Sequence, residues 1–314
     1  MAFSQRTSQH DAPNALAREL AAARARGAEV LDLTGSNPTS AGLPYDDARI
    51  LAALASPSAL AYDPEPLARA DTRAAVAEQY AGVGVEVTPS RVALTASTSE
   101  AYAVLFKLLC DPGDEILVPA PSYPLLGWLA AFESVTLRPY PLVYACGWHV
   151  DVDALRAAVG PRTRAVVVVS PNNPTGSYLA AHELDAMLDL GLTVISDEVF
   201  APYGLGPLPA GRLQTVLGAQ RGLVFSLSGL SKLAGLPQMK LGWIGVGGDR
   251  ERVDEALRRL ELVLDAYLSV GAPVQHALPG LLASGEVTRA AIAARTRANL
   301  AHLRARARAS EATT

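Results

Sequence analysis

The amino-acid sequence predicts an α/β fold, with a large domain built on a mixed, mostly parallel sheet flanked by helices. Three observations predict it. Short strand-like runs alternate with helical runs between residues 91 and 246, as in parallel strands joined by crossover helices. The run Ala165–Ser170 (AVVVVS) is apolar up to its last residue, as a central strand buried on both faces requires. Turn-prone polar clusters follow the strand-like runs, at the carboxyl ends where open α/β sheets bind ligands.

Taken in order, residues 11–26 read as a helix closed by Gly27. The stretch LDLTGSNPTSAGLPYD is dense in Gly, Pro, Asn and Ser and reads as an extended, domain-crossing loop. Residues 64–81 read as a helix closed by Gly82 and Gly84. Arg91–Thr95 is a strand feeding the helix Ser99–Leu109, and Glu115–Val118 is a strand before the turn PAPSYP. Val135–Pro139 is a strand, Asp151–Val159 a helix, and Ala180–Leu190 a helix ending at Gly191. Thr193–Asp197, Leu223–Ser226 and Leu241–Val246 supply further strands. Helices are expected over about 249–269, 273–284 and 286–308. Trp128 and Trp243 read as core.

Composition narrows the function classes. The 314 residues are 50% hydrophobic, enough to bury a large core, which excludes a disordered or fibrous chain. A net charge of −4 argues against nucleic acid or an anionic membrane as the main partner. The apolar runs are far shorter than the roughly 20 residues of a bilayer-spanning helix. The N-terminus, MAFSQRTSQHD, lacks the apolar core of a secretory signal. Cys110 and Cys146 make no disulfide framework, which is consistent with a reducing cytoplasm. The scattered His149, His182 and His276 lack metal-ligand spacing, so no metal site is expected. Of the 27 basic residues, 24 are arginine, and lysine occurs only at Lys107, Lys232 and Lys240. Where arginine meets the general need for positive charge, a lysine is a candidate for chemistry that arginine cannot do, such as acting as an amine nucleophile.

The polar residues at the expected strand ends form one set. Ser97, Thr98 and Ser99 open a helix, either as an ordinary N-cap or as an anion site at the positive helix end. Asn172 and Asn173 lie in PNNPTG, either a plain turn or a source of amide contacts to a ligand oxygen. Asp197 is an N-cap, a salt-bridge partner, or a carboxylate facing a ring nitrogen. Tyr123 is core, or stacks on a flat ring. Lys232, in SGLSK, is a surface charge or a reactive amine. Its apolar flanks are a poor setting for a solvated charge and favour the amine.

The segment SGLSKLAGLPQMKLGW resembles the lysine motif of the fold-type I, class I/II aminotransferases of the aspartate aminotransferase superfamily, which use pyridoxal 5′-phosphate. LTASTSEAY, PSYP, PNNPTG and SDEVF resemble that family's other motifs in the same order, from about residue 30 to about residue 300. The resemblance implies the PLP-dependent transferase fold, and transfer of an amino group from an amino acid to a 2-oxo acid. It implies that Lys232 forms a Schiff base with the cofactor and moves a proton at the substrate Cα. It implies that Asp197 pairs with the pyridine nitrogen, Asn173 with the phenolic oxygen, and Tyr123 with the ring face. Ser97, Thr98, Ser99, Ser231 and Lys240 would hold the phosphate. Tyr62 would reach the phosphate of a neighbouring subunit, which implies a homodimer, and Asn37 would close the substrate pocket.

The chain departs from the family's pattern in three places. Lys240 stands where an arginine usually clamps the phosphate, which keeps the charge but loses the bidentate fork. Phe200 stands where many members have a tyrosine, leaving Asn173 alone at the phenolic oxygen. Residues 1–45 and 286–314 are expected to form an incomplete small domain around a cofactor-binding domain over 46–285, without the segment that carries the family's carboxylate-binding arginine. Arg289, Arg295, Arg297, Arg304, Arg306 and Arg308 read as solvated helix surface. Two alternatives accompany the aminotransferase reading: a PLP-dependent C–S β-lyase, and a truncated cofactor-binding protein with little or no catalysis.

Overall fold

The β-branched runs of this chain sort by face, and that sorting builds the molecule. In a computed structural model, which describes residues 3–7, 14–31 and 34–310, α1 (Ala15–Ala25), α2 (Asp47–Leu54) and α3 (Ala70–Ala81) precede the first strand. Then follow β1 (Val92–Thr95), α4 (Thr98–Leu109), β2 (Glu115–Ala120), α5 (Leu126–Phe132), β3 (Thr136–Tyr144) and β4 (Trp148–Val150). The middle of the chain supplies α6 (Val152–Ala158), β5 (Thr163–Val169), α7 (Ala181–Asp189) and β6 (Thr193–Asp197). The last elements are β7 (Leu223–Gly229), α8 (Leu230–Leu233), β8 (Gly242–Gly248), α9 (Arg250–Asp265) and α10 (Ala272–Arg308).

The strands form one eight-stranded sheet in the order β1-β8-β7-β6-β5-β2-β3-β4. β8 runs antiparallel to both β1 and β7, and β4 antiparallel to β3; the remaining pairs are parallel. Alternate residues of each strand enter opposite cores. Val166, Val168, Val194 and Val224 pack on one side with Met187, Leu278 and Leu281 of α7 and α10. Ala165, Val167, Ile195 and Phe225 pack on the other with Leu105, Phe106 and Leu260 of α4 and α9. The sheet is therefore covered on both faces, as the AVVVVS run predicts.

Several expected elements are corrected. The helix expected over 64–81 starts only at Ala70; Pro64 and Pro66 hold the preceding backbone out of the helix. The helices expected over 273–284 and 286–308 are one 37-residue helix, α10. Gly285 does not break it: a Cβ there would lie 2.3 Å from the Ala234 Cβ, so the glycine lets α10 approach α8. The helix expected to begin at residue 11 begins at Ala15, capped by Asn14; residues 11–13 lie outside the described residues. The β3–β4 hairpin, α2 and α5 were not expected. Trp243 is core, but Trp128 is 39% exposed on α5, with its ring 6.2 Å from that of Phe132. Among the described residues no helix is long and apolar enough to cross a membrane.

Candidate active site

Strand direction gathers the polar motifs at one edge of the sheet. β1, β2, β5, β6 and β7 point the same way, so residues 97–99, 121–124, 170–176, 197–200 and 230–232 follow their carboxyl ends. β8 is reversed, so its first residue, Gly242, lies at that same edge, paired with Thr95 on one side and Gly229 on the other. A Cβ on Gly242 would lie 2.9 Å from the Ser97 carbonyl carbon and 3.0 Å from the Thr98 nitrogen. Only glycine permits this approach, which sets the start of β8 against the start of α4.

At α4, Ser97 is the N-cap, and its Oγ accepts the Glu100 N–H at 3.1 Å. The Glu100 carboxylate in turn accepts the Ala96 N–H at 2.5 Å. The cap thus uses the Ser97 oxygen as an acceptor and leaves its O–H to donate, while the N–H groups of Thr98 and Ser99, at the first two helical positions, have no acceptor within the helix. Those donors and the positive helix end suit an anion.

Asp197 ends β6 between the buried side chains of Ser196 and Glu198. Its Oδ1 accepts the Val199 N–H at 3.2 Å, and its Oδ2 accepts the Tyr102 hydroxyl at 3.1 Å. Burial pushes its pKa up to about 6, against the opposing pull of those two donors and the Lys232 charge. Lys232 lies in the single turn α8, with its Nζ 5.9 Å from the centroid of the Phe200 ring. Its flanks Leu230, Leu233 and Ala234 are buried, yet the Lys232 side chain is itself exposed, contrary to the expectation drawn from those flanks. Leu230 and Leu233, three apart, share the inward face of the turn, and Lys232 lies off it. The Tyr203 hydroxyl donates to the Lys232 carbonyl at 2.5 Å and anchors the turn.

The loops after β2 and β5 are joined: the Asn172 Nδ2 donates to the Pro121 carbonyl at 3.2 Å and to the Thr175 Oγ1 at 2.9 Å. Asn172 Oδ1 is buried without a partner. Asn173 is half-buried, and Tyr123 is 49% exposed. Ser231 is half-buried; Lys240 is exposed and holds a left-handed backbone (φ 51°) two residues before β8. All these residues belong to the one edge. Tyr62 and Asn37 do not join them through any contact within the described chain. Tyr62 is 86% exposed and lines a cavity of about 230 Å³ between residues 61–68 and 264–275. The Asn37 Oδ1 accepts the Thr39 N–H at 3.0 Å and the Thr39 hydroxyl at 2.8 Å, a local cap.

Sequence reasoning missed Tyr102. Its signal was spacing: it lies four residues after Thr98 in α4, on the face that opens at the strand ends. It also missed the buried pair of Arg212 and Glu183, whose guanidinium further donates to the Tyr178 and Trp148 carbonyls and to the His149 Nδ1. No local pattern marks two residues 29 apart that meet because residues 211–213 pair with the backbone of 179–181, the Ala181 N–H donating to the Gly211 carbonyl at 2.8 Å and the Leu213 N–H to the Leu179 carbonyl at 2.9 Å. Among the described residues no group of three or more His, Cys, Asp or Glu side chains is arranged to hold a metal ion.

The edge fits pyridoxal 5′-phosphate. A recessed carboxylate, free helix-start N–H groups beside hydroxyls, and a lysine amine match a ring nitrogen, a phosphate and an aldehyde respectively. The close approach of Gly242 sets the start of β8 directly against that helix start.

Comparison with known proteins agrees. Residues 34–310 match the family described as aminotransferase class I and II. Nicotianamine aminotransferase B of Hordeum vulgare is 32% identical over 226 residues, covering 67% of this chain and 39% of that protein. The S-alkyl-thiohydroximate lyase of Arabidopsis thaliana is 30% identical over 207 residues, covering 63% of this chain and 44% of that protein. The chain thus matches less than half the length of either curated relative. Among solved structures, N-succinyldiaminopimelate aminotransferase from Mycobacterium tuberculosis superposes with a TM-score of 0.75 at 28% identity, covering 97% of this chain and 78% of that one. A match over so much of the chain, with the motifs gathered at one sheet edge, makes this protein a member of the class I and II aminotransferase family.

Proposed function

We propose that this chain is a pyridoxal 5′-phosphate-dependent aminotransferase that moves an amino group from an amino acid to a 2-oxo acid. The observation that carries the reading is the placement of Lys232 and Asp197 after and at the carboxyl ends of the adjacent parallel strands β7 and β6, one exposed amine and one carboxylate held by Tyr102 and Val199. When bound, the cofactor supplies an aldehyde that condenses with amines and a ring that accepts the electron pair released at the substrate Cα.

The chain's own residues do the rest. Asp197 holds a proton on the ring nitrogen, which keeps the ring able to accept electrons. Asn173 donates to the phenolic oxygen without help from position 200, where Phe200 has no hydroxyl. Tyr123 covers one face of the ring. The Thr98 and Ser99 N–H groups, with the Ser97, Thr98, Ser99 and Ser231 hydroxyls, bind the phosphate, and Lys240 adds a point charge there. Lys232, once displaced by substrate, would take the proton from the substrate Cα as general base and return it to the cofactor's aldehyde-derived carbon, on the far side of the intervening nitrogen.

In this reading residues 46–285 carry the cofactor site, and 1–45 with 286–314 belong to a smaller domain. The protein works as a cytoplasmic homodimer, with Tyr62 reaching the partner's phosphate and Asn37 closing the pocket over the substrate. Exposure of Tyr62 in the single chain supports the dimer. The Lys232→Ala variant should lose the absorbance of the lysine-linked cofactor and all turnover, and borohydride should trap cofactor on the Lys232 peptide of the wild type. Wild-type turnover in Lys232→Ala would refute the mechanism.

Similarity to an S-alkyl-thiohydroximate lyase favours one second reading, C–S β-elimination at the same site. Release of pyruvate and ammonia from a cysteine conjugate without added oxo acid would select it over transamination.

A further inference from the structure

We propose that Tyr102 is a positioning residue for Asp197: its buried hydroxyl holds the carboxylate in its charged form and fixes its orientation toward the cofactor ring. The proposal rests on the reading that Asp197 receives the ring nitrogen.

The geometry is specific. Tyr102 is buried in α4, and its ring packs 5.9 Å from that of Phe106. Its hydroxyl reaches across from the helix layer to the end of β6 and donates to Asp197 Oδ2 at 3.1 Å. The other oxygen, Oδ1, accepts from the backbone of Val199. Two donors on two different oxygens pin the plane of the carboxylate and leave a lone pair on each oxygen for a further donor. The phenol is committed to the donor role, because burial and the Asp197 charge hold its own pKa far above the ordinary value.

Tyr102 has a task here because the carboxylate is poorly solvated. The charged or titratable groups acting on Asp197 are few. Lys232 acts from α8 and Tyr102 from α4, while Tyr140 of β3 packs in the other core and donates its hydroxyl to the Val167 carbonyl at 2.9 Å. Glu198, next in sequence, is engaged elsewhere, accepting from the Ser226 hydroxyl at 2.5 Å and the Val216 N–H at 2.9 Å. Burial favours the neutral acid, and a neutral acid cannot keep a ring nitrogen protonated. The Tyr102 hydroxyl opposes that tendency at short range, and so it acts on catalysis through Asp197 without touching substrate.

The test is a titration of the cofactor-free full chain with ¹³C-labelled aspartate carboxyls, using Asp197→Asn to assign the resonance. Tyr102→Phe keeps the ring packing and removes only the donor. The Asp197 midpoint should rise by about one pH unit, the loss of one good hydrogen bond to the charged form. Placing 3-fluorotyrosine at position 102, a stronger donor of nearly the same size, should move the midpoint down. In the loaded enzyme, Tyr102→Phe should raise the acidic limb of the pH profile by the same interval, lowering kcat about twofold at about pH 7 and approaching about tenfold below about pH 6, and leave KM within about twofold. A midpoint unmoved by either substitution overturns the proposal. So does a moved midpoint with an unmoved acidic limb, because Tyr102 would then tune a carboxylate that turnover does not use. Failure of the wild type to turn over at all would overturn the aminotransferase reading and leave the titration result standing.

Discussion

Replacing Asp197 by Asn should stabilise the cofactor-free protein while disabling it. The carboxyl titrates near 3.8 in an unfolded chain and is pushed up to about 6 by burial in the folded one. Between those two values the folded state binds more protons than the unfolded state, so this group makes stability fall as pH rises. Each tenfold change in proton affinity is worth about 1.4 kcal/mol, so above pH 7 the charged carboxylate costs the fold about 3 kcal/mol relative to its neutral form. Asparagine mimics the neutral form: its Oδ1 still accepts a hydrogen bond and its Nδ2 can donate to the Tyr102 oxygen. Urea unfolding of the apoprotein should therefore show Asp197→Asn to be about 2–3 kcal/mol more stable than wild type at pH 7.5, with the gain falling below about 1 kcal/mol at pH 4. Equal stability at pH 7.5, or a gain that does not shrink in acid, would refute the assignment of burial as the cause. In the proposed function, Asp197 is a group kept at a cost to the fold for the charge it presents to the site.

The other predictions concern close packing and charge. Gly285→Ala should destabilise the fold by about 2 kcal/mol, read as a lower urea midpoint, because its Cβ would meet the Ala234 backbone at 2.6 Å. Arg212→Ala should cost about 3 kcal/mol by the same measurement, since it strips the cation from buried Glu183, whose carboxylate also caps the Val150 and Ala180 N–H groups. Lys240→Arg should tighten cofactor binding several-fold in an equilibrium titration by restoring a fork at the phosphate.

Much of the sheet was legible because its signals are local. AVVVVS and the short β-branched runs ending in SDEVF and SLSG can hardly be anything but buried strands, and β5, β6 and β7 fall there. The motifs were legible for the same reason, as polar punctuation after each strand. What sequence could not give depends on contacts between distant segments. Gly285 looks like a helix stop until Ala234 is seen against it. Lys232 looks enclosed by its leucines, but one helical turn points them inward and leaves the lysine exposed. Tyr102 looks like one more aromatic of an amphipathic helix, and only the pairing of α4 with β6 turns it into a donor to Asp197. Arg295 looks solvated, yet it donates to the Ala41 carbonyl at 2.5 Å.

The reversal of β8 also sets a ruler. Because β7 and β8 form an antiparallel pair, the chain leaves the edge at Gly229 and returns to it at Gly242, with the turn carrying Lys232 and Lys240 as its two graduations. In the proposed function, the span from Lys232 to Lys240 is therefore metered by the length of one loop, where a crossover helix would have let it drift. Inserting a single residue between them would either bulge that loop or slip the pairing of β8 by one place, turning its buried faces over.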